Sequence, residues 1–321
     1  MEANSPVPSF GSKISAGSSA TSSNRVPTGE TIPDALSVEE YGRLYNAYRE
    51  GKYLLPNDGD EQDRLDLQHR WWKLLLSEKL YIAPIGEPTD VLDIGTGTGI
   101  WAMQFAREHP KSNVIGTDLS LIQPSHACPP NCTFEREDST EEWVFDKQFD
   151  YIHWRLMLTC FDDFKAMFQK IFDHLKPGGW AEFHESVFDL IPVDEEAAEN
   201  LHGSAFEQSF RYCMEAGRKI GRNFNAAKEF KRWLTETGFV EVVEKQYFSP
   251  VNGWPVDRQD QLIGHWYCLN LLRFAGSITK MLESGGMPLE DIPGFQEQMR
   301  HDITSPAMRV YHPREFTEFS K

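Results

Sequence analysis

No stretch of the chain approaches the roughly 20 consecutive apolar residues that cross a bilayer, so no membrane-spanning helix is expected. Basic residues are in deficit: 32 Lys and Arg stand against 49 Asp and Glu, a formal net charge of −17. That balance repels phosphate backbones and argues against direct nucleic-acid binding. Cysteine is sparse, with 5 in 321 residues, too few for a disulfide framework in a chain this long. His126, Cys128 and Cys132 do form an H-x-C-x3-C pattern. The intervening Pro129-Pro130 and the lack of a fourth nearby ligand make it a loop rather than a zinc centre, and no metal is expected. No internal repeat is present. Residues 1–33 are rich in Ser, Gly, Pro and Asn, the composition of a disordered tail. This segment lacks the apolar core of a secretory signal and the arginines of a transit peptide. What remains is a cytoplasmic protein, with nuclear residence left open by the small basic cluster Lys228, Lys231 and Arg232.

The run from Val91 to Ala102 carries the most chemistry. Val91-Leu92-Asp93-Ile94 reads as a buried strand ending near an acid, Gly95-Thr96-Gly97-Thr98-Gly99 as a loop, and Ile100-Trp101-Ala102 as the first turn of a helix. Glycines at alternate positions let the chain turn sharply and let a ligand lie on bare main chain. A dinucleotide loop of the form G-x-G-x-x-G would need glycine where Ile100 stands. The Gly-Lys-Ser/Thr ending of a triphosphate loop is also missing. A nicotinamide-dependent oxidoreductase is therefore disfavoured, and the Lys176-Pro177-Gly178-Gly179 turn speaks against it too.

Further strands follow in a regular order. A helix over about Ile100 to Glu108 leads to Asn113–Asp118, a second strand ending in an acid able to accept hydrogen bonds from both hydroxyls of a ribose. Thr133 to Ser139 gives a third strand with a polar end suited to an adenine edge, and Phe149 to His153 a fourth. Phe164, Met167, Phe168, Ile171, Phe172 and Leu175 share one helical face before the turn at Pro177 and a fifth strand at Trp180–Phe183. Strand–helix alternation predicts an α/β fold with a parallel, Rossmann-like sheet whose ligand sits beyond the strands' carboxyl ends. Glu195–Gly221 and Asn225–Thr237 read as helices, and Val240–Lys245 with Tyr247-Phe248 as the last strands.

The D-x-G-x-G-x-G pattern resembles motif I of the class I S-adenosylmethionine-dependent methyltransferases. The segments Tyr41–Tyr53, Pro56-Asn57-Asp58, Glu61–His69, Gly116–Ser120 with Ile122-Gln123-Pro124, Pro130-Asn131-Cys132 and Ile152–Arg155 look like the fungal LaeA-like branch. The likeness runs from about Glu39 to Glu185 and thins beyond it. It implies S-adenosyl-L-methionine as cofactor, held by Gly95, Gly97, Gly99, Asp118 and Asp138. It also implies a seven-stranded sheet with an antiparallel last strand. Asp93, Leu119 and Ser139 adjoin those positions and are included in the expected cofactor site. At least one of Tyr41 and Tyr45, with Tyr45 preferred, is expected in an aromatic lid over the sulfonium, since a cation is attracted to aromatic faces. The expected layout is a helical N-terminal cap at 34–90, a core at 91–250 and a helical substrate-side segment at 251–321.

Methyl transfer asks for alignment more than for elaborate catalysis, because the sulfonium is already activated. A base helps an alcohol or phenol acceptor. His153, and His184 with Glu185, are the expected candidates at strand ends. Arg155 is read as an ion-pair residue. Trp254, Trp266, Tyr267 and Phe274 either wall a substrate pocket or belong to ordinary core. The function expected is methylation of a small-molecule O, N or C nucleophile in fungal secondary metabolism. The alternative is a LaeA-type regulator acting through protein partners.

Overall fold

In the computed structural model, the residues described are 37–49, 51–124 and 126–321, and the expected tail at 1–33 lies outside them. The described residues open with a two-stranded antiparallel hairpin, β1 (Ser37–Glu40) and β2 (Arg43–Asn46), where a helical cap is expected from the sequence. Tyr41 and Gly42 adopt φ of 54° and 71°, the left-handed pair that a two-residue hairpin turn requires. Helix α1 (Gly59–Leu75) follows, started by Asp58, whose side chain accepts from the Glu61 N–H.

The remaining elements are β3 (Asp90–Ile94), α2 (Ile100–Glu108), β4 (Asn113–Asp118), β5 (Cys132–Arg136), β6 (Phe149–Arg155), α3 (Phe164–His174) and β7 (Leu175–Ser186). Then come β8 (Ile191–Pro192), α4 (Glu195–Leu201), α5 (Ala205–Lys219), α6 (Phe230–Thr237) and β9 (Val240–Pro250). The chain finishes with α7 (Arg258–Ser277), α8 (Thr279–Gly285), α9 (Ile292–Thr304) and β10 (Val310–Ser320). The helix expected over Glu195–Gly221 is broken where Gly203 turns left-handed and Ser204 caps α5 through the Glu207 N–H.

Among the described residues the main sheet has eight strands in the order β5-β4-β3-β6-β7-β10-β8, with β9 also paired to β10. β5 to β7 are mutually parallel. β10 runs antiparallel to both β7 and β9. The count exceeds the expected seven by the two-residue β8, which pairs with Val310 and Tyr311.

One expectation fails outright. The core does not close at residue 250, because the antiparallel strand comes from the end of the chain, and α7 to α9 form an insertion between the last two strands. Pro313, Arg314, Glu315 and Glu318 give β10 the look of a solvated tail. Yet all of its residues from His312 to Ser320 are buried, because β7 and β9 flank it on both edges.

Candidate functional site

Beyond the carboxyl ends of β3, β4, β6 and β7 lies a cavity of about 240 Å³, closed on its far side by α1, α5 and α7. The loop between β3 and α2 forms its floor. Gly97 has φ +57°, and a Cβ built there would meet only Leu65 Cδ1 at 3.6 Å, so a side chain would stand in the cavity rather than in packed protein. The Asp118 carboxylate accepts the Gly97 N–H and the Ser120 N–H, both at 2.9 Å, locking the loop to the tip of β4. Burial pushes the Asp118 carboxyl up to about 6. A backbone cradle beside a strand-end carboxylate fits a nucleoside whose ribose hydroxyls donate to that acid.

Of the expected cofactor residues, Gly95, Gly97, Asp118, Leu119, Asp138 and Ser139 line this cavity. Asp138 is also tied to Lys52, to Arg49 Nε at 3.3 Å and to Thr140. Burial alone would raise its pKa, but the hydrogen bonds from Lys52 and Thr140 hold it below the usual carboxylate range.

The other expected residues do not line the cavity. Asp93 is buried beneath the loop, accepting from Thr96 Oγ1 at 2.6 Å and contacting His153 Nδ1 at 2.7 Å. Gly99 serves packing, since a Cβ there would run into the ring of Phe134. Tyr45 is buried under Lys280, whose ammonium sits 4.9 Å from the ring centroid, and Tyr41 bonds to Glu283. Of the N-terminal tyrosines, it is Tyr53 that lines the cavity.

Both candidate histidines require correction. His153 is 1% exposed and lies flat on Trp101 at 3.8 Å between ring centroids. His184 is wholly buried and bonded to Glu182. Burial drives the pKa of each below the ordinary histidine value. Each sits two residues short of its strand's end, inside the sheet, while the cavity takes the residues at the ends themselves.

Those end residues supply groups that sequence reasoning undervalues or misses. Glu185 lines the cavity with Oε1 accepting the Met157 N–H at 2.9 Å and Oε2 without a partner. Burial raises its pKa to about 8, so it carries a proton at neutral pH. Arg155 lines the cavity with Nη1 3.2 Å from His69 Nδ1, an aromatic neighbour rather than the ion pair expected. Leu156 follows in the left-handed region at φ 56°, a strained turn of about 1–2 kcal/mol that ends β6 at the cavity. From the C-terminal half, Tyr267, Phe274, His312 and Arg314 complete the wall. Trp254 instead packs on Tyr311 and Trp266 against the core. Cys128 Sγ, in the loop leading to β5, donates to the carbonyl of Cys132, the first residue of that strand.

The family model described as a methyltransferase domain matches residues 66–245. Methyltransferase pytC of Aspergillus terreus is 35% identical, over 83% of this chain and 85% of that one. The secondary metabolism regulator laeA of Monascus pilosus is 32% identical, over 88% of this chain and 77% of its own. The chain is a LaeA-like, S-adenosylmethionine-dependent methyltransferase. Among solved structures, a Haemonchus contortus phosphoethanolamine N-methyltransferase in complex with S-adenosyl-L-methionine is similar at TM-score 0.44 and 17% identity, covering 84% of this chain and 54% of that one. The matched stretch of this methyltransferase holds the glycine loop and Asp118. The α7 and β10 wall lies beyond it. No helix among the described residues is long and apolar enough to cross a membrane.

Proposed function

We propose that this methyltransferase binds S-adenosylmethionine along Gly95–Gly97 and transfers its methyl group to a small-molecule nucleophile of a fungal secondary-metabolite pathway. The observation that carries this reading is the open, left-handed Gly97 facing the cavity beside Asp118. When bound, the cofactor supplies a methyl carbon already activated on a sulfonium. Asp118 holds the ribose hydroxyls, and Leu119, Asp138 and Ser139 border the adenine. Tyr53, Leu65 and Trp71 on the N-terminal side cover the cleft and exclude water. Glu185 is the candidate base, because its carboxyl lines the cavity near the end of β7 and its buried Oε2 has no hydrogen-bond partner. It would take the proton of an acceptor hydroxyl or ammonium.

Support for small-molecule chemistry comes from the partly enclosed cavity and from the likeness to pytC along most of both chains. A LaeA-type regulator working through protein partners is not favoured over this reading. Two measurements test it. Calorimetry should detect S-adenosylmethionine binding to the purified chain. Metabolite profiling of a deletion strain should reveal a product short by one methylene. A chain that binds no cofactor, or a deletion that shifts no metabolite by that mass, refutes the proposal.

A further inference from the structure

The ionisable groups around the cavity are unevenly distributed along the sheet. Arg64 is neutralised by Glu61, which it meets through Nε and Nη2, and Lys52 by Asp138. Asp118 and Glu137 stand at the β4 and β5 end. Arg155 and Arg314 stand at the β6 and β10 end. Among the described residues neither guanidinium has a carboxylate partner: Arg155 contacts His69, while Arg314 contacts Ser186 Oγ and the His312 ring. Arg314 is 2% exposed, and its Nε has no partner. Holding a guanidinium that deep without a counter-ion is costly unless an anion joins it.

The group is also held ready. Its carbon lies 4.8 Å from the ring centroids of both Trp71 and Tyr267, which stack on each other at 4.5 Å. His312 is fixed in turn, with Nε2 donating to the Val187 carbonyl at 2.8 Å and Nδ1 accepting from the Tyr267 hydroxyl at 2.5 Å. Burial and the neighbouring Arg314 keep His312 uncharged. The fork therefore has a hydroxyl beside it, an aromatic slab behind it and apolar walls from Phe210, Leu271 and Met281.

S-adenosylmethionine brings one carboxylate, and two guanidinium groups lack a hydrogen-bonded carboxylate; Asp93 and Glu182 lie near enough to favour the charge of Arg155, whereas Arg314 has no such neighbour. Arg155 directly follows the Ile94–Trp154 pairing of β3 with β6, so it flanks the glycine loop and suits the cofactor's amino-acid end. Arg314 pairs across from Ser186 on β7, three strands from β3, or roughly 14 Å at ordinary strand spacing. It is left for the acceptor. We propose that the methyl acceptor is a largely apolar molecule bearing a carboxylate, which seats on the Arg314 fork and the Ser186 hydroxyl against the Trp71–Tyr267 slab. This rests on the methyltransferase reading for the cofactor's position. A single planar fork with one hydroxyl matches a carboxylate; a phosphate dianion is better served by several cations or a backbone nest.

The test uses 2-naphthoate, its neutral amide 2-naphthamide and 2-naphthyl phosphate, titrated calorimetrically into the full chain with and without S-adenosylhomocysteine. The acid should bind at least tenfold tighter than the amide. Arg314→Met should erase that preference while leaving S-adenosylhomocysteine affinity within twofold. Equal binding of acid and amide, a preference that survives Arg314→Met, or a stronger response to the phosphate would overturn the proposal. So would a tenfold loss of S-adenosylhomocysteine affinity in Arg314→Met, since the arginine would then serve the cofactor. If that variant fails to fold, the wild-type comparison decides the matter together with Ser186→Ala, expected to weaken the acid several-fold and not the amide. Failure of S-adenosylhomocysteine to bind would defeat the cofactor reading alone. The acid–amide comparison on the ligand-free chain would still decide this one.

Discussion

Asp118 is the residue through which the cofactor reading is most exposed to refutation. Its carboxylate already accepts two backbone N–H groups, from Gly97 and Ser120. A bound ribose would add hydroxyl donors to the same oxygens. Hydrogen bonds to a charged group are worth about 1.5–3 kcal/mol each. Asp118→Asn keeps one acceptor oxygen and surrenders the charge, so roughly one such bond is lost, a 10- to 150-fold weaker dissociation constant. Protonation should mimic the mutation. Burial holds the folded pKa at about 6, above the ordinary 3.8, so without ligand the acid destabilises the fold increasingly as pH rises from about 4 to about 6. Binding has the opposite sign, because the ionised form is the better acceptor. Wild-type affinity should be level above pH 7 and fall by up to tenfold per unit below about pH 6, while the Asn variant stays nearly level. Calorimetry at pH 7.5 and 5.0 on both proteins measures this. If the variant binds within twofold of wild type, or wild-type affinity does not change between those pH values, Asp118 does not hold the ribose.

The loop glycines should separate by phenotype. Gly97→Val should abolish cofactor binding at a backbone-strain cost of about 1–2 kcal/mol, read by calorimetry and thermal melting, because its side chain enters the cavity. Gly99→Ala should lower the melting temperature by forcing Phe134 aside, at about 1–3 kcal/mol, a site where cofactor contact is not the issue. His153→Phe should keep the stack on Trp101 but strip Asp93 of a partner, losing about 1–3 kcal/mol in denaturant titrations with S-adenosylhomocysteine affinity unchanged. A selective loss of turnover in that variant would restore His153 as the base. Glu185 must lose its proton before it can accept one, so methylation of a hydroxyl acceptor should rise with pH to a plateau above about 8. Glu185→Gln should flatten that rise and slow turnover roughly 100-fold or more.

The parts of the fold that are legible in the sequence rest on local rules. Helix α2 runs from Ile100 to Glu108 and β4 from Asn113 to Asp118, as the apolar spacing and the strand-end acid predict. Gly238 at φ 111° ends α6 where a helix stop is expected. The misses share a different cause. In a sheet covered on both faces, period-two alternation does not distinguish a residue facing the cavity from one facing a helix. Proximity to a strand end singles out His153 and His184 with Glu185, but of these only Glu185 lines the cavity, together with Arg155 and Ser186 at the ends themselves. β10 is hidden because its Arg314 and His312, besides contacting each other, find their other partners on or just past β7 and on α7, which no local window contains. The hairpin turn at Tyr41-Gly42 is legible in principle, since glycine there suits a left-handed φ.

That late strand also explains how the two halves of the site are coupled. The cofactor side is built from the ends of parallel strands, where short loops can vary with little effect on the sheet. The acceptor side hangs on β10, which lies between β7 and β9 and presents His312 and Arg314 from within the sheet. A specificity group carried on such a strand is held more rigidly than one on a loop. It is also harder to replace, because its neighbours Phe316 and Phe319 anchor the core on the same strand. Change of acceptor is therefore easier through α5 and α7, whose Phe210, Cys213, Leu271 and Phe274 shape the cavity without pairing into the sheet. On this reasoning the shape of the acceptor can drift while its charge stays fixed, since shape is set by an inserted helical block and charge by the strand that closes the fold.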